Sequence, residues 1–177
     1  MGGRDRIFEA LEDKDASVRQ TAVGLIAGHG GNWLYDQRAL EPLLLAAHSD
    51  YADRRYVSNA VKSLRRYKDP RVTEALLYIL KTSVDSNDQV AAVEVLRARK
   101  ELRAVEPLIE ALKTQSENYV ADSMFLTLAE LGDKRALPVM AAYLTNKHNY
   151  QLCDAFEKIA GQSYQEYEAT HEQNQPR

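Results

Sequence analysis

The chain has 177 residues, of which 45% are apolar and 28% charged, a balance that supports one folded core and excludes an intrinsically disordered chain. A formal net charge of −3 and a pI near 5.8 provide no global basicity for gripping a phosphate backbone or an anionic membrane, so any such contact must be local. The single cysteine, Cys153, excludes an internal disulfide framework; with no apolar leader and no run near the ~18 apolar residues of a membrane span, the expected compartment is the cytoplasm.

The first predicted element pair covers 4–28, with Ile7-Phe8-Glu9-Ala10-Leu11 on one short amphipathic helix and Asp15-Ala16-Ser17-Val18-Arg19-Gln20-Thr21-Ala22 opening the next. His29-Gly30-Gly31-Asn32-Trp33-Leu34 then interrupts the pattern and is read as an insertion between pairs. The second pair, 37–67, opens with Arg38-Ala39-Leu40-Glu41-Pro42-Leu43-Leu44, and this run recurs down the chain. It returns as Arg71-Val72-Thr73-Glu74-Ala75-Leu76-Leu77, as Arg103-Ala104-Val105-Glu106-Pro107-Leu108-Ile109, and more loosely as Arg135-Ala136-Leu137-Pro138-Val139-Met140-Ala141. The step is ~32 residues, which is the range of helical repeat arrays.

The third, fourth and fifth pairs are therefore placed at 69–98, 101–131 and 133–161. Their second helices share apolar columns: Ala60, Ala92 and Met124; Val61, Val93 and Phe125; Leu64, Leu96 and Leu128. Pro42 and Pro107 fall near the start of first helices, where a missing N–H costs nothing. Gly132 is read as a helix C-cap and Asp133 as the following N-cap. Residues 163–172 are expected to add a capping helix and 173–177 to be disordered, so that a repeat domain of 1–164 is followed by a terminal cap and tail at 165–177.

These runs resemble HEAT-like repeats of the phycobilisome-lyase type, whose first helix reads Arg-Ala-Leu-x-Pro-Leu and whose second reads Asp-x-x-Val-Arg-x-x-Ala. Asp15 to Ala22 carries the second half, and Phe156-Glu157-Lys158-Ile159-Ala160-Gly161-Gln162-Ser163-Tyr164 looks like the usual close. The later pairs depart from it, with Gln89-Val90 and Val120-Ala121 where Val-Arg stands at Val18-Arg19. The resemblance implies an all-α, right-handed α-α superhelix of about five helix pairs.

No catalytic or metal-binding arrangement is evident. The histidines His29, His48, His148 and His171 are isolated from one another, and the glycines at 28, 30 and 31 precede no Lys-Ser or Lys-Thr. Neither a metal nor a cofactor is expected. Cys153 lacks a basic neighbour one turn away and is read as a structural thiol.

Four places stand out as partner-binding candidates. Arg54, Arg55, Lys62, Arg65, Arg66, Lys68 and Arg71 form the strongest local charge asymmetry, and Arg55, Asn59, Lys62 and Arg66 share one helical face. The competing explanation is the solvated side of an amphipathic helix. Trp33 and Tyr35 are large aromatics where the repeat demands none, suited to a binding hot spot or to covering the first pair. Tyr119 and Asp122 begin another second helix; Arg19 is the conserved-type arginine that the resemblance places between units.

The expected function is a non-catalytic scaffold binding a protein partner, an acidic one being favoured by the basic run, on the concave face of the repeats; a monomer is expected. Two other readings stay open. The resemblance implies a bilin lyase-like or chaperone-like subunit acting on an antenna-type protein, and the basic helix is compatible with nucleic-acid binding, against which the acidic total weighs.

Overall fold

A computed structural model describes residues 3–28, 36–48, 57–145, 147 and 149–172, and among them every regular element is a helix. The helices fall into pairs: α1 (Gly3–Leu11) with α2 (Ala16–Gly28), α3 (Leu40–Ala47) with α4 (Val57–Leu64), and α5 (Pro70–Thr82) with α6 (Ser86–Ala98). Two more follow, α7 (Val105–Thr114) with α8 (Asn118–Leu131) and α9 (Leu137–Leu144) with α10 (Tyr150–Ala160), before the single helix α11 (Tyr164–Glu172). One turn of 3-10 helix, at Gln37–Ala39, Leu102–Ala104 and Lys134–Ala136, leads into α3, α7 and α9. The candidate residues Trp33, Tyr35 and Arg55, like the tail 173–177, lie outside the described residues.

The contacts divide the chain into two compact units, Met1–Arg99 and Lys100–Arg177. In the first, the second helices α2, α4 and α6 lie side by side, and α3 packs on α5 as a layer of first helices. In the second, α8 lies on α10, α7 on α9, and α11 closes over α10. The sequence columns are the reason for this layering. Ala60, Val61 and Leu64 are wholly buried, as are Ala92, Val93 and Leu96, and Met124, Phe125 and Leu128 are within 1% of it. Removing these stripes from water is the main stabilising term, and each pair needs a neighbour to complete it.

Helix starts are fixed by side-chain acceptors that satisfy otherwise unpaired N–H groups. Asp36, Asp69, Asp85, Glu101 and Asp133 each accept the backbone N–H two residues onward, and Asn149 accepts from Gln151 and Leu152. Gly132 and Gly161 end α8 and α10 at φ 72° and 75°, the left-handed region. At the end of the second unit, the edges of the Tyr164 and Tyr167 rings meet Phe156 at centroid distances of 5.7 and 5.1 Å, so that the last buried aromatic is covered without another pair.

Lys100 occupies the place after α6 that Gly132 occupies after α8, and it too is left-handed, at φ 51°. Its Cβ makes that conformation costly, whereas glycine adopts it freely. Lys100→Gly is expected to stabilise the chain by about 0.5–1 kcal/mol after allowing for glycine's looser unfolded state, raising Tm by about 1–4 °C. Thermal unfolding followed by circular dichroism checks this, and an unchanged or lower Tm contradicts it.

Candidate partner-binding faces

The arginines at the entries to α3, α5, α7 and α9 are paired with acids placed at fixed spacing. Arg38, Arg71, Arg103 and Arg135 stand two residues after the acidic cap and fold back onto it: Arg38 Nη2 donates to Asp36 at 2.7 Å, Arg71 Nη2 to Asp69 at 3.0 Å, Arg103 Nε to Glu101 at 3.2 Å, and Arg135 Nη2 to Asp133 at 2.7 Å. Three of them also reach back one repeat. Arg71 Nη1 donates to Glu41 at 2.7 Å, Arg135 Nη1 lies 3.3 Å from Glu106, and Arg38 lies 3.7 Å from Asp5 and over the Phe8 ring. The hydrogen bonds from Arg71 and Arg135 hold the carboxyls of Asp69 and Asp133 below the usual carboxylate range. These arginines are therefore stitches between successive first helices. Arg71, part of the basic run by sequence, belongs to this set.

A second, buried thread joins the repeats of the first unit. Tyr67 is 3% exposed; its hydroxyl donates to the Asp36 carbonyl at 3.1 Å, and its own carbonyl accepts from Arg99 Nη1. Burial pushes the Tyr67 phenol up. Asp88, 3% exposed in the first turn of α6, accepts from Ser58 Oγ at 2.8 Å and Ser83 Oγ at 3.3 Å. A carboxylate taken out of water needs such donors, and the helix N-terminus favours its charge. It pins α4 to α6.

The cations of α4 and the turn after it are differently placed. Asn59, Lys62, Arg65, Arg66 and Lys68 are all exposed, and Asn59, Lys62 and Arg66 share a face at helical spacing. Among the described residues, Lys62, Arg65 and Lys68 have no acidic partner. The C-terminus of a helix accepts such charges favourably, so they cost the fold little and stay available to an anion. Arg19 is engaged within its own pair instead: Nη1 donates to the carbonyls of Asp13 at 2.7 Å and Lys14 at 3.0 Å, holding the turn between α1 and α2.

In the second unit, Tyr119 is 65% exposed on α8, while Asp122 one turn later is half-buried and engaged. The Tyr143 hydroxyl donates to Asp122 Oδ1 at 2.6 Å, and Lys147 Nζ lies 3.5 Å from the same oxygen. Lys147 also donates to Asn118 Oδ1 at 2.8 Å and to the Tyr143 hydroxyl. Burial, followed by the hydrogen bond to Asp122, raises the Tyr143 phenol well above its ordinary range. Tyr143 and Lys147 were not singled out by sequence, because neither lies in a repeating column; only the fold brings them to α8. For Cys153, burial and then the Glu157 charge push the thiol up, which makes it a poor nucleophile.

A family model described as HEAT repeats matches residues 4–97 and again 73–156. No curated protein matches the chain. A crystal structure of an engineered protein is similar at a TM-score of 0.58 and 18% identity, covering 90% of this chain and 78% of that one. At that identity the likeness speaks to the fold alone.

The raised Tyr143 phenol has a definite pH consequence. Below the ordinary tyrosine pKa of about 10 both folded and unfolded chains keep the proton; above it the unfolded chain releases it first and folding stability falls. The urea midpoint is expected to drop as pH rises past about 10, less so in Tyr143→Phe. Identical pH profiles for the two proteins contradict this assignment.

Proposed function

This chain belongs to the HEAT-repeat family, and on that premise we propose that it is a non-catalytic scaffold whose α4 surface receives an acidic segment of a partner protein. Helical repeats of this kind commonly mediate contacts between proteins. The observation that carries the proposal is the contrast between two sets of cations. Arg71 and Arg135 are engaged by acids of their own cap and of the preceding repeat, whereas Lys62, Arg65 and Lys68 stand exposed without an acidic partner among the described residues. A local positive surface on a chain of net charge −3 selects an acidic segment and orients it, since like-charged approaches elsewhere are disfavoured. Lys62 provides the charge on the Asn59 face of α4, and Arg65 and Lys68 extend it into the turn after the helix. Beyond α4, Tyr119 on α8 is an exposed aromatic available to a partner of the second unit.

The test is fluorescence polarisation of a labelled ten-residue oligoglutamate with the full-length protein. Binding is expected to weaken strongly between 50 and 200 mM salt, on the order of tenfold or more, because exposed charges are screened over about 10 Å. The triple substitution Lys62→Glu, Arg65→Glu, Lys68→Glu is expected to weaken it at least about tenfold while leaving Tm within a few degrees. Oligoglutamate binding unaffected by the triple substitution removes α4 from the account. A duplex DNA of equal charge binding more tightly than the peptide replaces the protein partner with nucleic acid. New visible absorbance on mixing the protein with a bilin and an apo antenna subunit assigns the lyase-like role instead.

A further inference from the structure

The first unit carries a second surface of opposite character. Between α3 and α5, in the first-helix layer, runs an open groove of about 500 Å³. Leu44 and Ala75, 8% and 5% exposed, form its floor; Leu45, at 62%, and Tyr78, at 39%, rise from its walls, and the His48 ring lies 5.0 Å from that of Tyr78. Leu45 lies on a helix whose other apolar residues, Leu40, Leu43 and Leu44, are buried in the repeat core. It contributes nothing to that core, and an apolar side chain left so exposed beside a tyrosine makes a patch of the kind partners cover.

The other end of the groove is acidic. Glu41, Arg71 and Glu74 line it. Arg71 is already shared between Asp69 and Glu41 through separate nitrogens, so three carboxylates stand against one guanidinium. Glu74 occupies the repeat position of Glu41 and Glu106, both held by an arginine. Among the described residues Glu74 itself has no hydrogen-bonding or ion-pairing partner. A cation brought there meets an unneutralised carboxylate; an anion meets an excess of negative charge.

We propose that this groove is a second docking site, which takes an amphipathic segment of a partner protein with apolar side chains over Leu45 and Tyr78 and an arginine or lysine at Glu74. Two neighbouring helices with an apolar furrow between them suit a helix or short extended segment laid along the furrow. Arginine fits best at the acidic end, because its planar fork can pair with a carboxylate through two hydrogen bonds while its stem covers Ala75. The site is separate in residues and in charge from the α4 surface, so one unit can hold an acidic and a basic segment at once.

Nuclear magnetic resonance titration of the labelled full-length protein tests this with two probes, N-acetyl-leucyl-leucyl-arginine amide and its glutamate counterpart. The arginine probe is expected to give saturable shifts at Leu45, Ala75 and Tyr78, weakened at least fivefold in Glu74→Arg and abolished in Leu45→Glu. The glutamate probe is expected to leave those signals in place, and Lys62→Glu with Arg65→Glu to leave the arginine probe's affinity unchanged. Both exchanged residues are exposed, and an unaltered spectrum elsewhere verifies the fold of each variant. Equal shifts from the two probes, or an affinity indifferent to Glu74→Arg, overturn the proposal. Sedimentation showing a dimer that Leu45→Glu dissolves also overturns it, by giving the groove to a second copy of the chain.

Discussion

Within each of the two compact units, a helix pair needs a neighbouring element to cover its apolar stripe. That requirement explains most of the rest. Alanine and valine at the contact faces of α4 and α6 let the second helices approach closely, while leucine one turn on fills the space between the layers. Where a further pair no longer follows α10, α11 performs the same covering with Tyr164 and Tyr167 set edge-on to Phe156. The polar stitches follow the same step. Arg71 joins Asp69 to Glu41 and Arg135 joins Asp133 to Glu106, because a repeat of constant length brings the same residue types together at both places.

Charge on this scaffold falls into two sets, arginines paired with acids and cations that stand without an acidic partner among the described residues. Arg38, Arg71, Arg103 and Arg135 are half-exposed and screened by water, so their direct contribution to stability is small. Lys62, Arg65 and Lys68 make no such contact among the described residues. A binding face and a structural stitch can thus look alike in a sequence, both being arginines at helical spacing. They differ in whether an acid is folded against them.

The helical-repeat fold was legible before any coordinates because apolar periodicity and repeat length are both local signals. Leu64, Leu96 and Leu128 announce the core, and the Gly132 and Asp133 junction announces a stop and a start. The polar contacts were less legible, since they depend on which residues a ~32-residue step brings side by side. Arg19 was expected at a partner surface and is found bonded to the turn carbonyls of Asp13 and Lys14. Asp122 is engaged by Tyr143 and Lys147, whose arrival from α9 and the turn after it no periodicity announces. The groove at Leu45 and Tyr78 was equally hidden, because an apolar residue in a helix reads as core until its neighbours are seen to leave it uncovered.

The central claim, that stability passes from pair to pair by direct contact, is tested most directly by native-state hydrogen exchange on Leu64→Ala. Truncating this fully buried residue removes about 2–5 kcal/mol of packing. Amide protection is then expected to fall in α2, α3, α4 and α6, the helix that carries it and those packed on that helix, and to persist in α9, α10 and α11. A uniform loss of protection from α1 to α11 would contradict a serial stack and show the chain unfolding as one indivisible body.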